Sequence, residues 1–153
     1  MEQKCYNQLE LICKDKQEIL KFYNDNFCTS KQVLSFNKLI PVAKNIDGSI
    51  NYFDSSEKWG TKYDAFDFTH VQKRNNRLIY CFHTNISPPT TWLCNVTANY
   101  PSICFKLEYK QGTSEFWGYQ VYENGFKTLE EVIHSDNSRS PQKYQKSTTC
   151  AVQ

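Results

Sequence analysis

The chain has 153 residues, with 18 Lys and Arg against 16 Asp and Glu. A length of that order suits one domain that buries its own core without metal or disulfide support. The net charge of +2 supplies no general attraction to nucleic acid or an acidic membrane, and only 5 Gly and 5 Pro exclude a low-complexity chain.

Cysteines stand at positions 5, 13, 28, 81, 94, 104 and 150, and no pair has Cys-x-x-Cys spacing. The stretch from Met1 to Asn7 lacks the apolar run of a signal peptide, and no run approaches the roughly 18 apolar residues of a membrane span. These features predict free thiols in a reducing compartment, with no disulfide, no metal and no cofactor. Asn85-Ile86-Ser87 and Asn95-Val96-Thr97 then count as chance matches to the glycosylation pattern.

In chain order, Cys5 to Cys13 alternates, with Leu9, Leu11 and Cys13 on one side and Gln8, Glu10 and Ile12 on the other. This predicts a strand with one buried face. Asp15 is placed to cap a helix over Lys16 to Phe27, with Glu18 as its capping-box partner. Ile19, Leu20, Phe22, Tyr23 and Phe27 form its apolar stripe. Val33 to Pro41 reads as extended, and Val42 to Lys58 as a long polar loop. Ala65 to Val71 and Arg77 to Thr84 read as strands of a hairpin joined by Lys73-Arg74-Asn75-Asn76. Ser87 is the expected cap of a helix opened by Pro88-Pro89, with Trp92, Leu93, Val96 and Tyr100 on its apolar side. Ile103 to Lys110 alternates cleanly, a turn at Gln111 to Ser114 leads into a strand over Phe116 to Tyr122, and Thr128 to His134 suits a short terminal helix. The simplest packing is α+β, an antiparallel sheet with two helices packed on one face.

Several of these segments carry a resemblance. Phe36-Asn37-Lys38-Leu39-Ile40-Pro41 is similar to the Phe-Asn-Lys-Ile-Ile-Pro segment of the YubB ferredoxin-like family. Trp59-Gly60-Thr61-Lys62-Tyr63-Asp64-Ala65 resembles that family's Trp-Gly-Thr-Lys-Trp-x-Ala signature, and Phe82-His83-Thr84 with Ser87-Pro88-Pro89 resembles its Phe-x-Thr-x-Trp-Ser-Pro-Pro element. Tyr100-Pro101, Phe105 to Tyr109 and Phe116-Trp117-Gly118 follow in the family's order, and Cys5 to Leu9 is similar to its opening strand. The resemblance spans roughly residues 5 to 131. Ile86 and Tyr63 stand where the family usually has Trp. It implies a ferredoxin-like topology over residues 1–134, without any redox cofactor, and an origin in a virus or mobile element. No established reaction comes with it.

The signature has two readings. As a pocket, Trp59 would wall a site for an anion or peptide, Gly60 would admit close approach, and Lys62 would supply charge. Thr61, Asp64, Thr84 and Trp92 would complete it. As a clasp, Trp59 would plug the sheet edge, with Lys62 and Asp64 a solvated pair. His70 and His83 lie on neighbouring predicted strands, but His70-Val71-Gln72 lacks the second His-x-Ser/Thr of a two-histidine phosphoesterase. An open sheet also offers a stacking platform for single-stranded RNA, with Tyr80, Phe82, Phe105, Tyr109, Trp117 and Tyr119 as candidate rings.

Residues 135–153 form a polar tail, expected to be flexible, that ends Cys150-Ala151-Val152-Gln153 and fits the prenylation pattern. A membrane partner is expected only if Cys150 carries that lipid. The expectation overall is a non-enzymatic structural or protein-binding module, in the host cytoplasm or a virion, with a protein partner or assembly. A nucleic-acid-binding module on the open sheet is the alternative, and a small hydrolase the third reading.

Overall fold

The computed structural model describes residues 3–134 and 142–143. In chain order the elements are β1 (Lys4–Ile12), α1 (Lys16–Asn26), α2 (Phe36–Leu39), α3 (Tyr52–Trp59), β2 (Phe66–Lys73) and β3 (Arg77–Asn85). They continue with α4 (Thr90–Thr97), β4 (Cys104–Gln111), β5 (Phe116–Glu123), β6 (Phe126–His134) and the two-residue β7 (Gln142–Lys143). The strands form one antiparallel sheet in the order β2-β3-β1-β4-β5-β6-β7. The chain is therefore a mixed α+β protein with an open antiparallel sheet.

The alternation expected for β1 holds. Cys5, Leu9 and Leu11 are fully buried with Asn7, while Tyr6, Gln8, Glu10 and Ile12 stay partly exposed on the other face. Phe22 of α1 seals the buried side. Its ring centroid lies 5.0 Å from Tyr100, 5.5 Å from Phe105 on β4, and 6.4 Å from both Tyr80 on β3 and Trp92 on α4. Edge-to-face contacts at these distances add to the burial term for each ring. The apolar stripe of α1 is narrower than its sequence suggested. Ile19 and Phe22 are buried, whereas Leu20 and Phe27 are exposed. Asp15 caps α1 through Gln17 N–H at 2.9 Å, while Glu18 lies 3.5 Å from the Ser102 hydroxyl.

Four expectations about the elements need correction. Within Val33 to Pro41, Phe36–Leu39 is a helical turn rather than extended chain. Its amino-terminal N–H groups find their acceptor at Asp64, a partner that no local pattern could show. The supposed loop from Val42 to Lys58 contains α3, capped by the Asn51 side chain on Asp54 N–H at 3.1 Å and ended by Gly60 at φ +81°. Ser87 does not cap α4, whose N-cap is Pro89 with no side-chain bond; its hydroxyl donates to Gly60 O instead. Thr128 to His134 is strand and not helix, because Asn124 and Gly125, both at positive φ, turn β5 back into β6.

At β5, Gly118 is a matter of space. A Cβ there would sit 2.1 Å from Tyr109 Cζ, so the Tyr109 ring lies directly over the glycine. The thiol expectation fails at Cys94, which is disulfide-bonded, while Cys5, Cys13, Cys28, Cys81 and Cys104 are free. Of the tail, Gln142 and Lys143 pair with Val132 and Glu131 of β6. Cys150 and the rest of 135–153 lie outside the described residues. Among the described residues, no helix is long and apolar enough to cross a membrane.

Candidate functional site

The signature residues are stitched into the structure. Trp59 has no exposed surface, packs 5.8 Å from the Phe36 ring and donates Nε1–H to Ile40 O at 2.8 Å. Gly60 ends α3 in the left-handed region, and a Cβ there would crowd Thr91 N and Oγ1 at 3.2 Å. Thr61 Oγ1 donates to Asn85 O at 2.9 Å, and Ser87 Oγ donates to Gly60 O at 2.8 Å. The end of α3 is thereby tied to the end of β3 and the start of α4.

The other expected site residues follow the same pattern. Trp92 is fully buried and donates Nε1–H to Phe36 O at 3.2 Å. Thr84, also fully buried, accepts from Asn7 Nδ2 at 2.9 Å and donates to Ser87 O at 2.7 Å. Asp64 turns onto α2, accepting from Phe36 N at 2.7 Å, Asn37 N at 3.3 Å and Ser35 Oγ at 2.9 Å. Burial pushes its carboxyl above the ordinary value, and these hydrogen bonds offset part of that shift. The Lys62 ammonium lies 4.7 Å from the Tyr52 ring centroid and 5.4 Å from that of Tyr63. A residue with no exposed surface cannot wall an open pocket, so Trp59 and Trp92 act as struts. The buried indole is that of the clasp, but the solvated Lys62–Asp64 pair expected with it needs correction: Asp64 is half-buried against α2, and Lys62 lies over Tyr52 and Tyr63.

The uncovered face of the sheet is different. Register places Phe66 of β2 opposite His83 of β3, His83 opposite Tyr6 of β1, and Tyr6 opposite Lys110 of β4. Trp117 of β5 continues this row, with the Lys110 ammonium 5.8 Å from its ring centroid. The rings touch one another: Tyr6 is 5.7 Å from His83 and 5.8 Å from Trp117, both edge-on, and Phe66 stacks on His83 at 6.2 Å. All four are only partly buried. Lys4 closes the end of the row, 5.7 Å from the Phe66 centroid and 2.8 Å from Asp67 Oδ2.

A depression of about 450 Å³ opens beside the row, lined by Lys4, Tyr6, His83, Lys110, Gly112 and Thr113. The Tyr6 phenol is pushed up to about 12, chiefly by burial and then by Cys81 and Glu108, so at neutral pH it is an uncharged donor. The next row of the same face is acidic and polar, with Gln8 paired to Cys81 and to Glu108, and Glu108 paired to Tyr119.

The ring candidates read from sequence divide between the two faces. Tyr80, Phe82 and Phe105 are core, and Tyr109 covers Gly118 on the core side. Trp117 and Tyr119 are on the open face. Tyr6, Phe66 and His83 were missed as ring partners, although Tyr6 sits at the off-core parity of β1. His70 pairs with Cys81 and not with His83, so the two histidines occupy different rows. The chain matches no family model, no curated protein and no solved structure.

Proposed function

We propose that this chain is a non-enzymatic binding module that works through the uncovered face of its sheet. The observation that carries this reading is the partly exposed row Phe66–His83–Tyr6–Lys110–Trp117, five strands wide and flanked by Lys4. Partly exposed rings in mutual contact form a rigid surface that loses little side-chain entropy when something docks on it. The strand order β2-β3-β1-β4, with α1 and α4 feeding rings into one cluster, supports a ferredoxin-like topology. The YubB resemblance, resting on its motifs, supports an origin in a virus or mobile element and a place in the host cytoplasm or a virion.

A role as an assembly component has its own support. Ile46 and Phe53 are 109% and 81% exposed on the segment that precedes and opens α3, and large apolar side chains so placed favour a protein contact.

A photo-crosslinking side chain placed at Tyr119, on the open face, tests the main reading against one placed at Lys21, exposed on α1. In the native source, discrete adducts are expected from position 119 and none from position 21. Equal yields, or adducts from position 21 alone, would remove the open face as the recognition surface.

A further inference from the structure

Resting on the open face as the recognition surface, we infer that its occupant is a single-stranded nucleic acid. The bases stack on Tyr6, His83 and Trp117, and a phosphate sits in the depression between Lys4 and Lys110. Every base has a π-face, and partly exposed rings on β3, β1 and β5, set edge-on to one another, offer separate faces for roughly two or three bases.

The charges fit that assignment locally, although the chain as a whole is close to neutral. Lys4, whose ammonium also holds Asp67 at 2.8 Å, and Lys110 line one depression together with the Gly112 turn and Thr113, which adds a hydroxyl donor for phosphate oxygens. The ammonium of Lys110 also lies over Trp117, within reach of both a base and its backbone. The row beside the rings carries Glu108, while Glu10 one row further on is held by Arg77 at 2.8 Å and stands opposite Lys106. Glu108 disfavours a polyanion in the row next to the rings and so confines it to the ring row. That confinement argues for a single strand lying across the strands at one end of the sheet, since a duplex would keep its bases stacked inside and present only phosphates to the rings. An acidic peptide would find the lysines but leave the ring faces without flat partners.

The test is fluorescence anisotropy of labelled single-stranded RNA and DNA octamers, a duplex of the same sequence and a free mononucleotide. Wild type should bind the single strands at least tenfold tighter than the duplex or the mononucleotide. Trp117→Ala and Tyr6→Ala should each weaken binding about tenfold or more, the loss of one stacked base. Lys110→Gln should reduce the slope of log affinity against log salt by about 0.7, one phosphate on a single strand. Melting curves select the variants that fold, and Lys110→Gln, a partly exposed surface change, keeps the test decisive if a ring variant unfolds. Equal binding of mononucleotide and octamer would make the ligand a free nucleotide and overturn the single-strand assignment. No oligonucleotide binding, or binding unchanged by Trp117→Ala and Lys110→Gln, would also overturn it. Crosslinks from position 119 to protein in that case would leave the open-face reading standing with a protein occupant.

Discussion

The two faces of β1 are built from the same alternation and do opposite work. On one, Asn7, Leu9 and Leu11 are fully buried, and even the polar Asn7 is satisfied inside by Thr84 and the Cys5 carbonyl. On the other, the partly exposed Tyr6, Gln8 and Glu10 meet His83 and Lys110, Cys81 and Glu108, and Ile79 and Lys106 in turn. The contrast extends to the tryptophans. Trp59 and Trp92 each spend their indole N–H on a carbonyl of the 36–40 segment, while Trp117 lends its face to Lys110 and its contacts to Tyr6. Three rings of one type hold the structure at two positions and offer it to solvent at the third.

Breaking the strut side should have the largest effect. Trp59→Ala empties a fully buried site and orphans the Ile40 carbonyl, so a loss of about 3–5 kcal/mol in urea unfolding is expected. Lys62→Ala, three residues further along at a partly exposed side chain, should change stability by about 0.5 kcal/mol or less. A Trp59→Ala protein that unfolds at the wild-type urea midpoint would contradict the clasp.

Asp64 gives an intermediate effect with a pH signature. Asp64→Ala removes the acceptor for Phe36 and Asn37 N–H, comparable to a lost helix cap at about 1–2 kcal/mol. Because burial raises the folded carboxyl above its unfolded value, stability from this group is complete below about pH 4. It is lost as pH rises through the folded value, since the unfolded chain releases its proton first. Asp64→Asn should therefore lack this decline, and urea midpoints of the two proteins between pH 3 and pH 7 measure it. Parallel pH curves would show that the carboxylate is not held in the environment described.

The smallest effect should come from the open face. Trp117→Ala leaves no sealed cavity, and a stability loss under about 1 kcal/mol is expected by the same urea assay. A loss matching that of Trp59→Ala would mean that Trp117 is a strut too, and the division between the faces would fall.

Much of this contrast was legible along the chain, because strands write burial at a period of two. β1 and β4 alternate in sequence as they do in burial, and the hairpin at 73–76 is marked by its composition. What stayed hidden depended on partners distant in sequence. The helical turn at Phe36 rests on Asp64, and the register that brings Phe66, His83, Tyr6 and Trp117 into one row is set only when five strands align. Other signals were present and unread. Asn51 with Asp54 is a capping pattern ahead of α3, and Asn124-Gly125 is the strongest short hairpin signal in the chain. The signature at Trp59 allows both a pocket and a clasp from sequence, because residue types that suit binding also suit a buried indole with one donor to satisfy.

The outer strand of the sheet has a consequence for the protein in a crowded solution. Pairing of β2 with β3 breaks register between Phe66 and His70, and Asp67 within that break sits at φ +51°. The free edge of β2 is therefore kinked where a second chain would need straight backbone to hydrogen-bond along it, and the charges of Asp67 and Lys73 stand at either end. Two copies meeting edge to edge at β2 find no continuous ladder to extend, which disfavours growth into fibres from that side.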